Sequence, residues 1–425
     1  MLKKLNYFFH HPTLRNVGIV TTGNIANAIL GFISLIIVSR TLGPAHFGVF
    51  SVVFGFYFLI SKLGDLGSNS TAVKYISLFK SQKKEKDAQD VLAFFLGITY
   101  LFIFVYLIIL IPFYKQIALL LNIQNYSIYI LFALISAIGL ILFNTYSVIL
   151  QSLEKFNEFV LYYSVATLVK ILGVLFLSAI LFLNLTSAIT IYFISPFIGF
   201  FGMFFVIHFV YKYKAKPNLS RSTLKKISPF FYFMMFASVF AAINEQVGVF
   251  FSNIFFSNFD AGIWGASSRL SSVFSLIAAS IGTVLIPRAS RYTDIKNIKN
   301  FAYKSILLGL VLFVAVLPVS IFPEFFITLT AGEAYITGAP ILAILCISGA
   351  FSILTAGFSS VFFSLNKAQY FTFVSIFNLV FQIPLMFLLG DMFGLIGLAY
   401  SQLVIAISIL LISIFYYLIN LKQKV

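Results

Sequence analysis

Five ionisable side chains fall inside long apolar stretches of the chain: Lys62, Asp65, Lys170, Glu245 and Arg269. A charge held among apolar neighbours in a membrane is costly, so each is a functional candidate that pairs with an opposite charge, faces a water-filled cavity or binds something in transit. Lys170 lies about eleven residues into its stretch and Glu245 about sixteen into its own, which puts both near the middle of a span. Neither has a close partner in sequence, which leaves pairing with each other, contact with water, or a ligand. Lys62 and Asp65 stand three apart, on one face of a helix, and can neutralise one another. Arg269 sits a turn or two from the end of its stretch, where a long side chain can reach the interface. His208, near the end of another stretch, reads as an interfacial residue.

These charges need helices to carry them, and several stretches show small or polar residues at helical spacing. Asn24, Asn27, Gly31 and Ser34 form one such face, and Ser238, Ala242, Glu245 and Ser252 another. Asn144, Ser147 and Gln151 follow the same spacing, as do Ser348, Ser352, Thr355 and Ser359. Small residues serve close helix packing in lipid, an explanation that suits Gly and Ser. It suits Asn24, Asn27, Asn144 and Gln151 less well, and a bundle with several such faces can enclose a wet cavity.

Composition sets the class. Hydrophobic residues make up 61% of the 425 positions and charged ones 9%, with a mean hydropathy of +1.04. A soluble domain carries about a quarter charged residues, so this is a polytopic membrane protein. A span needs about 20 apolar residues, which divides the chain into twelve: 17–39, 47–73, 91–113, 128–151, 159–183, 188–211, 229–254, 263–286, 302–322, 340–363, 370–390 and 394–417. Runs of this length satisfy their own backbone only as helices, and the short alternation of a membrane barrel is absent. Residues 1–16, which mix bases with Leu2, Leu5, Phe8 and Phe9, suit a short helix lying on the headgroups. The single cysteine, Cys346, excludes an internal disulfide.

Lysine and arginine placement gives orientation. With the N-terminus in the cytoplasm, 23 of the 28 bases fall in inside segments, and the outside loops hold only Arg40 and Lys115. The net charge of +16 is therefore mainly a topology signal with some attraction to anionic lipid, rather than a nucleic-acid footprint. A faint internal repeat at an offset of 214 sets Phe47-Gly48-Val49-Phe50 beside Ala261-Gly262-Ile263-Trp264 and Lys74 beside Arg288. The expected architecture is an all-α integral membrane protein of about twelve helices in two pseudo-symmetric six-helix bundles, residues 1–211 and 229–425, joined by a basic cytoplasmic linker at 212–228. Two membrane halves with a site between them is a common transporter plan. The outside connections are short and carry few ionisable groups, and no phosphate-binding loop ends in Gly-Lys-Ser/Thr. An ATP-driven pump or a membrane enzyme is not expected, nor is a catalytic residue, a metal site or a cofactor.

Arg40-Thr41-Leu42-Gly43-Pro44-Ala45-His46-Phe47-Gly48, followed by Asp65-Leu66-Gly67, resembles the R-x-L-G-x-x-x-[FY]-G and D-L-G signatures of the polysaccharide transporter family, the Wzx-type flippases. Ala261-Gly262-Ile263-Trp264, Arg269-Leu270, Ile281-Gly282-Thr283, Pro287-Arg288 and Phe393-Gly394-Leu395-Ile396-Gly397 look like the second half of that pattern. The resemblance implies a fold of two six-helix bundles, shared with multidrug exporters of the wider superfamily, that opens alternately to either side of the inner membrane. It implies a polyprenyl-diphosphate-linked oligosaccharide as cargo, moved to the outer leaflet for surface polysaccharide such as the O-antigen of lipopolysaccharide. A glycan polymerase, other assembly proteins and membrane lipid are the implied partners.

For such an anionic, hydrophilic cargo, buried cations would supply charge-assisted hydrogen bonds. Lys170 is the first candidate, with Arg269 and Lys62 behind it and Asn24 and Asn27 as polar contacts. Glu245, flanked by Asn244 and Gln246, is the candidate for proton or sodium coupling in an antiport cycle, and Asp65 is the second. A small-molecule exporter of the same superfamily is the alternative. A lipid II flippase is a neighbour that usually has two further helices, and a glycan polymerase would need a larger outside loop.

Overall fold

The computed structural model describes residues 12–211, 221–272, 307, 309–311, 313–314, 316–364 and 368–422. Its elements are helical throughout, in keeping with the all-α expectation. Helix α1, Pro12–Asp65, has 54 residues. At a rise of about 1.5 Å per residue it would reach about 80 Å if straight, more than twice a hydrocarbon core of about 30 Å. It is instead broken at Gly43, whose φ of 68° and ψ of 170° lie outside the helical region. Pro44 follows and has no N–H to give the preceding turn, so Gly and Pro together end one limb and start the next.

The expected second span, 47–73, needs correction. The second limb of α1 stops at Asp65, Leu66 and Gly67 turn with φ of 45° and 68°, and α2 begins afresh at Ser68 and runs to Ser81. The break falls in the polar stretch from Ser61 to Thr71, which holds Lys62, Asp65 and Asn69 and which the expected span ran across. Then come α3 (Glu85–Leu110), α4 (Tyr114–Leu120), α5 (Ser127–Ser152), α6 (Phe156–Ala179), α7 (Leu185–Phe205) and α8 (Arg221–Phe255). They are followed by α9 (258–272), α10 (Gly309–Ile321), α11 (Pro323–Thr330), α12 (Ala339–Ser364), α13 (Ala368–Phe393) and α14 (Leu395–Lys422).

Among the described residues, nine helices are long and apolar enough to cross a membrane, and ten if α10 and α11, bent by 77°, make one span. Residues 273–306, which hold most of the expected eighth span and the start of the ninth, lie outside the described residues, as does much of the linker.

Several helices end in the same way. In α2, the N–H of Lys84 reaches the carbonyl of Phe79 at 2.8 Å and that of Lys83 reaches Lys80 at 2.9 Å. This is a Schellman motif, and Lys83 supplies the left-handed residue with a φ of 58°. The ends of α4, α5 and α6 repeat it with Asn122, Glu154 and Leu181 in the left-handed position. Helix α7 opens with a capping box, in which Asn184 and Ser187 each accept the other's backbone N–H.

The chain divides into two compact units. The first comprises Met1–Leu42 and Val53–Val239. Its core places Ile76 and Phe79 of α2 against Val91 and Phe95 of α3, Tyr146 and Leu150 of α5 and Met203 of α7. The Tyr57 ring stacks on Phe193 at 4.3 Å. In contrast, Leu101, Phe104 and Ile108 of α3 are all more than half exposed and follow helical spacing, as a lipid-facing stripe does.

The second unit comprises Gly43–Val52 and Phe240–Val425. Within it, Phe362 of α12 packs on Tyr370 of α13 and Tyr416 of α14, with ring centroids 4.4 Å and 5.0 Å away. The start of the second limb of α1 crosses α9 here at backbone contact. A Cβ on Gly48 would stand 1.7 Å from the Asn258 carbonyl oxygen, and a Cβ on Gly262 would stand 1.9 Å from that of Pro44. Only hydrogen fits at either place. The two contacts map onto each other under the 214-residue offset, which carries 44 to 258 and 48 to 262. Ser51 and Gly265, also 214 apart, meet on the same line, with the Ser51 Oγ 2.5 Å from where a Cβ on Gly265 would be.

Candidate functional site

In the first unit, the residues around Lys170 come from three helices. Lys170 projects from α6, and its Nζ lies 5.2 Å from the centroid of the Tyr192 ring on α7, within cation–π range. On α1, Gly31 borders the ammonium: a Cβ there would stand 3.7 Å from Nζ, at ordinary contact distance. Tyr192 is itself fixed by a 3.0 Å hydrogen bond between its hydroxyl and Ser34 and by the edge-on ring of Phe54 at 5.7 Å. One turn away, Asn27 Nδ2 donates to Ser164 Oγ at 3.1 Å, and Asn27 Oδ1 is buried with no hydrogen-bond partner among the described residues. Asn24 is exposed. The polar stripe of the first helix therefore divides, with Asn27, Gly31 and Ser34 turned toward α6 and α7 and Asn24 outside them.

Asp65 and Lys62 have other neighbours. The Asp65 carboxylate accepts the backbone N–H of Asn69 at 2.7 Å and the Ser68 hydroxyl at 3.2 Å. It thus satisfies a donor in the first turn of α2 that has no partner within the helix. Lys62 is exposed and lies over the ring of Phe58, one turn back, at 5.2 Å. His208, expected at the interface, is exposed and stacks on Phe204 at 4.3 Å.

Arg269, in the second unit, holds its guanidinium 5.8 Å from the ring centroids of both Phe47 and Phe50. The motif around Gly48 thus contributes its aromatic residues to this arginine as well as its glycine to the crossing.

Glu245 opens onto a cavity of about 350 Å³ inside the second unit. Helix α8 gives Asn244 and Glu245 to its wall, α12 gives Ser348 and Ser352, α13 gives Ser375, Asn378 and Gln382, and α14 gives Gln402. Asn244 Nδ2 donates to the carbonyl of Ser375 at 3.1 Å, which turns its Oδ1 the other way. The Oδ1 atoms of Asn244 and Asn378 are both buried with no hydrogen-bond partner among the described residues. An unsatisfied buried acceptor is expensive, so this wall offers oxygens to something that donates or carries positive charge. Oxygen donors with one carboxylate suit a proton or a hard monovalent cation. Among the described residues no three His, Cys, Asp or Glu side chains gather into a transition-metal site. Ser348 and Ser352 stood out in the sequence, whereas Ser375, Asn378 and Gln382 did not. Their i, i+3, i+7 spacing on one helix was the available signal, diluted by the aromatic residues between them.

The family described as "Polysaccharide biosynthesis protein" matches residues 13–293. An uncharacterized membrane protein of Methanocaldococcus jannaschii is 25% identical over 276 residues, which are 63% of this chain and 66% of that protein, just under two thirds of its length. An uncharacterized membrane protein in the cps region of Klebsiella pneumoniae is 22% identical over 401 residues, 92% of this chain and 79% of that one. Among solved structures, a multidrug resistance MATE family transporter of the MOP superfamily, in an inward-facing conformation, aligns with a TM-score of 0.78 at 15% identity, covering 93% of this chain and 96% of its own. The lipid II flippase MurJ, inward closed, aligns with a TM-score of 0.71 at 19% identity, covering 94% and 87%. At these identities the two structures establish a shared fold.

Proposed function

Because the chain belongs to the polysaccharide biosynthesis protein family, we propose that it is a secondary transporter that moves a polyprenyl-diphosphate-linked oligosaccharide from the inner to the outer leaflet for surface polysaccharide assembly. It works in the cell membrane with both termini in the cytoplasm, by alternating access driven by a proton or sodium gradient. The observation that carries the reading is Lys170: an ammonium within a span, lodged between a glycine and an aromatic face. A cation with that setting favours an anionic cargo, and a diphosphate is the anionic part of this one. The cps-region relative and the fold held in common with MurJ lend support. Glu245 and the two amide oxygens beside it serve the coupling ion, while Arg269, Lys62, Asn24 and Asn27 are secondary contacts for the cargo. A glycan polymerase and other assembly proteins receive the product.

The test is transbilayer movement of an enzyme-accessible polyprenyl-diphosphate oligosaccharide in proteoliposomes. Movement requires the protein, and Lys170→Ala lowers its rate at least about tenfold, the scale of one lost charge-assisted hydrogen bond of about 1.5–3 kcal/mol, with no loss of protein from the membrane. A rate unchanged in that variant removes Lys170 from the mechanism. The fold likeness to a multidrug resistance transporter favours one second reading, export of a small molecule. Efflux of a cationic dye, with no movement of any glycan lipid, would select it.

A further inference from the structure

Away from both regions, the α2–α3 turn forms a cradle of about 660 Å³ lined by Lys80, Lys83, Lys84, Glu85, Lys86 and Asp87. We propose that this cradle binds the phosphate headgroup of a membrane amphiphile, an inference that does not rest on the transport reading above. Four lysines face two carboxylates there, so the cradle is net positive. Both carboxylates lie in the first turn of α3, where the helix dipole already engages them.

The turn is not a loose loop. The two Schellman hydrogen bonds fix Lys83 and Lys84, and Ile76 and Phe79 anchor α2 in the core of the first unit. Burial draws the pKa of Lys80 below the ordinary lysine value, Glu154 and Glu85 oppose that, and Lys155 adds to it. A partly desolvated ammonium with a lysine neighbour gains from an added anion.

Depth supports the choice of ligand. The apolar body of α3 starts at Val91, six residues beyond Glu85, or about 9 Å along the helix, which sets the cradle at the level of the headgroups. Positive-inside placement alone explains the number of lysines, but it does not require them to line a cavity. The shared chemistry is a phosphate ester on an apolar tail, from either bulk anionic lipid or an isoprenoid diphosphate.

The experiment uses the full chain in nanodiscs of neutral phosphatidylcholine, carrying Lys170→Ala so that the interior lysine adds nothing. It is titrated calorimetrically with dihexanoylphosphatidylglycerol and with geranyl diphosphate. At least one probe binds, and K83Q/K84Q/K86Q weakens it about a hundredfold, since each surface lysine is worth about fivefold and the three multiply. K83R/K84R/K86R restores it. Tighter binding of geranyl diphosphate identifies the isoprenoid source, and tighter binding of the glycerolipid identifies bulk lipid. The proposal is overturned if neither probe binds, if the glutamine variant binds as its parent does, or if the arginine variant fails to restore binding.

Discussion

Asp65 and Glu245 show how far a residue type alone can mislead. Both are carboxylates on long apolar helices, and both were candidates for ion coupling. Asp65 accepts two donors at the start of α2, whereas Glu245 opens onto a cavity beside two amide oxygens that lack partners among the described residues. Their substitutions should part accordingly. Asp65→Ala lowers stability by about 1 kcal/mol, the usual loss of a cap, read as a drop in thermal midpoint, while Asp65→Asn keeps an acceptor oxygen and leaves gradient-driven transport intact. Glu245→Gln keeps the fold and abolishes the dependence of transport on the gradient. Coupling that survives in Glu245→Gln but vanishes in Asp65→Asn would reverse the two roles. The sequence identified all of the charged candidates, because charge in an apolar run is conspicuous. Nothing in it distinguished a capping carboxylate from a cavity carboxylate, since that depends on whether the backbone turns at Leu66-Gly67.

At the scale of elements, the apolar runs matched helices closely, as with 128–151 against Ser127–Ser152 and 340–363 against Ala339–Ser364. Hydropathy finds a span because burying about 20 residues in hydrocarbon dominates every other term. It fails where a span is drawn across a polar break, as 47–73 was across Asp65-Leu66-Gly67-Ser68, where one helix ends and the next begins. The crossing of α1 with α9 was visible only as a faint repeat, and its content is steric. Gly48→Ala and Gly262→Ala should each destabilise the chain by about 3 kcal/mol or more, because the new methyl meets backbone rather than a side chain that can move aside. Thermal unfolding of the purified chain checks this. A loss at one position with none at the other would contradict the reciprocal geometry.

For the whole molecule, the 61% hydrophobic content fixed the membrane class, and the skew of lysine and arginine fixed an expected orientation that labelling can test. Cys346 is the sole cysteine and is buried, so Cys346→Ala gives a cysteine-free background. Cysteine placed at Lys115 should react with an impermeant maleimide on intact cells, and cysteine placed at Lys84 only after permeabilisation. Equal labelling of both would undo the orientation. The settings of Lys170 and Glu245 could not be read from composition, because each draws on helices elsewhere in the sequence.

The paired contacts of Gly48 with Asn258 and of Gly262 with Pro44 also have the form of a twofold interface. In a homodimer built around a twofold axis, one patch meets its own copy, so a single residue serves both sides of the contact. Here two short segments of one polypeptide meet in the same reciprocal way. Each glycine meets a backbone carbonyl of the other segment, so a larger side chain at either position has to be answered by a shift of the opposite helix.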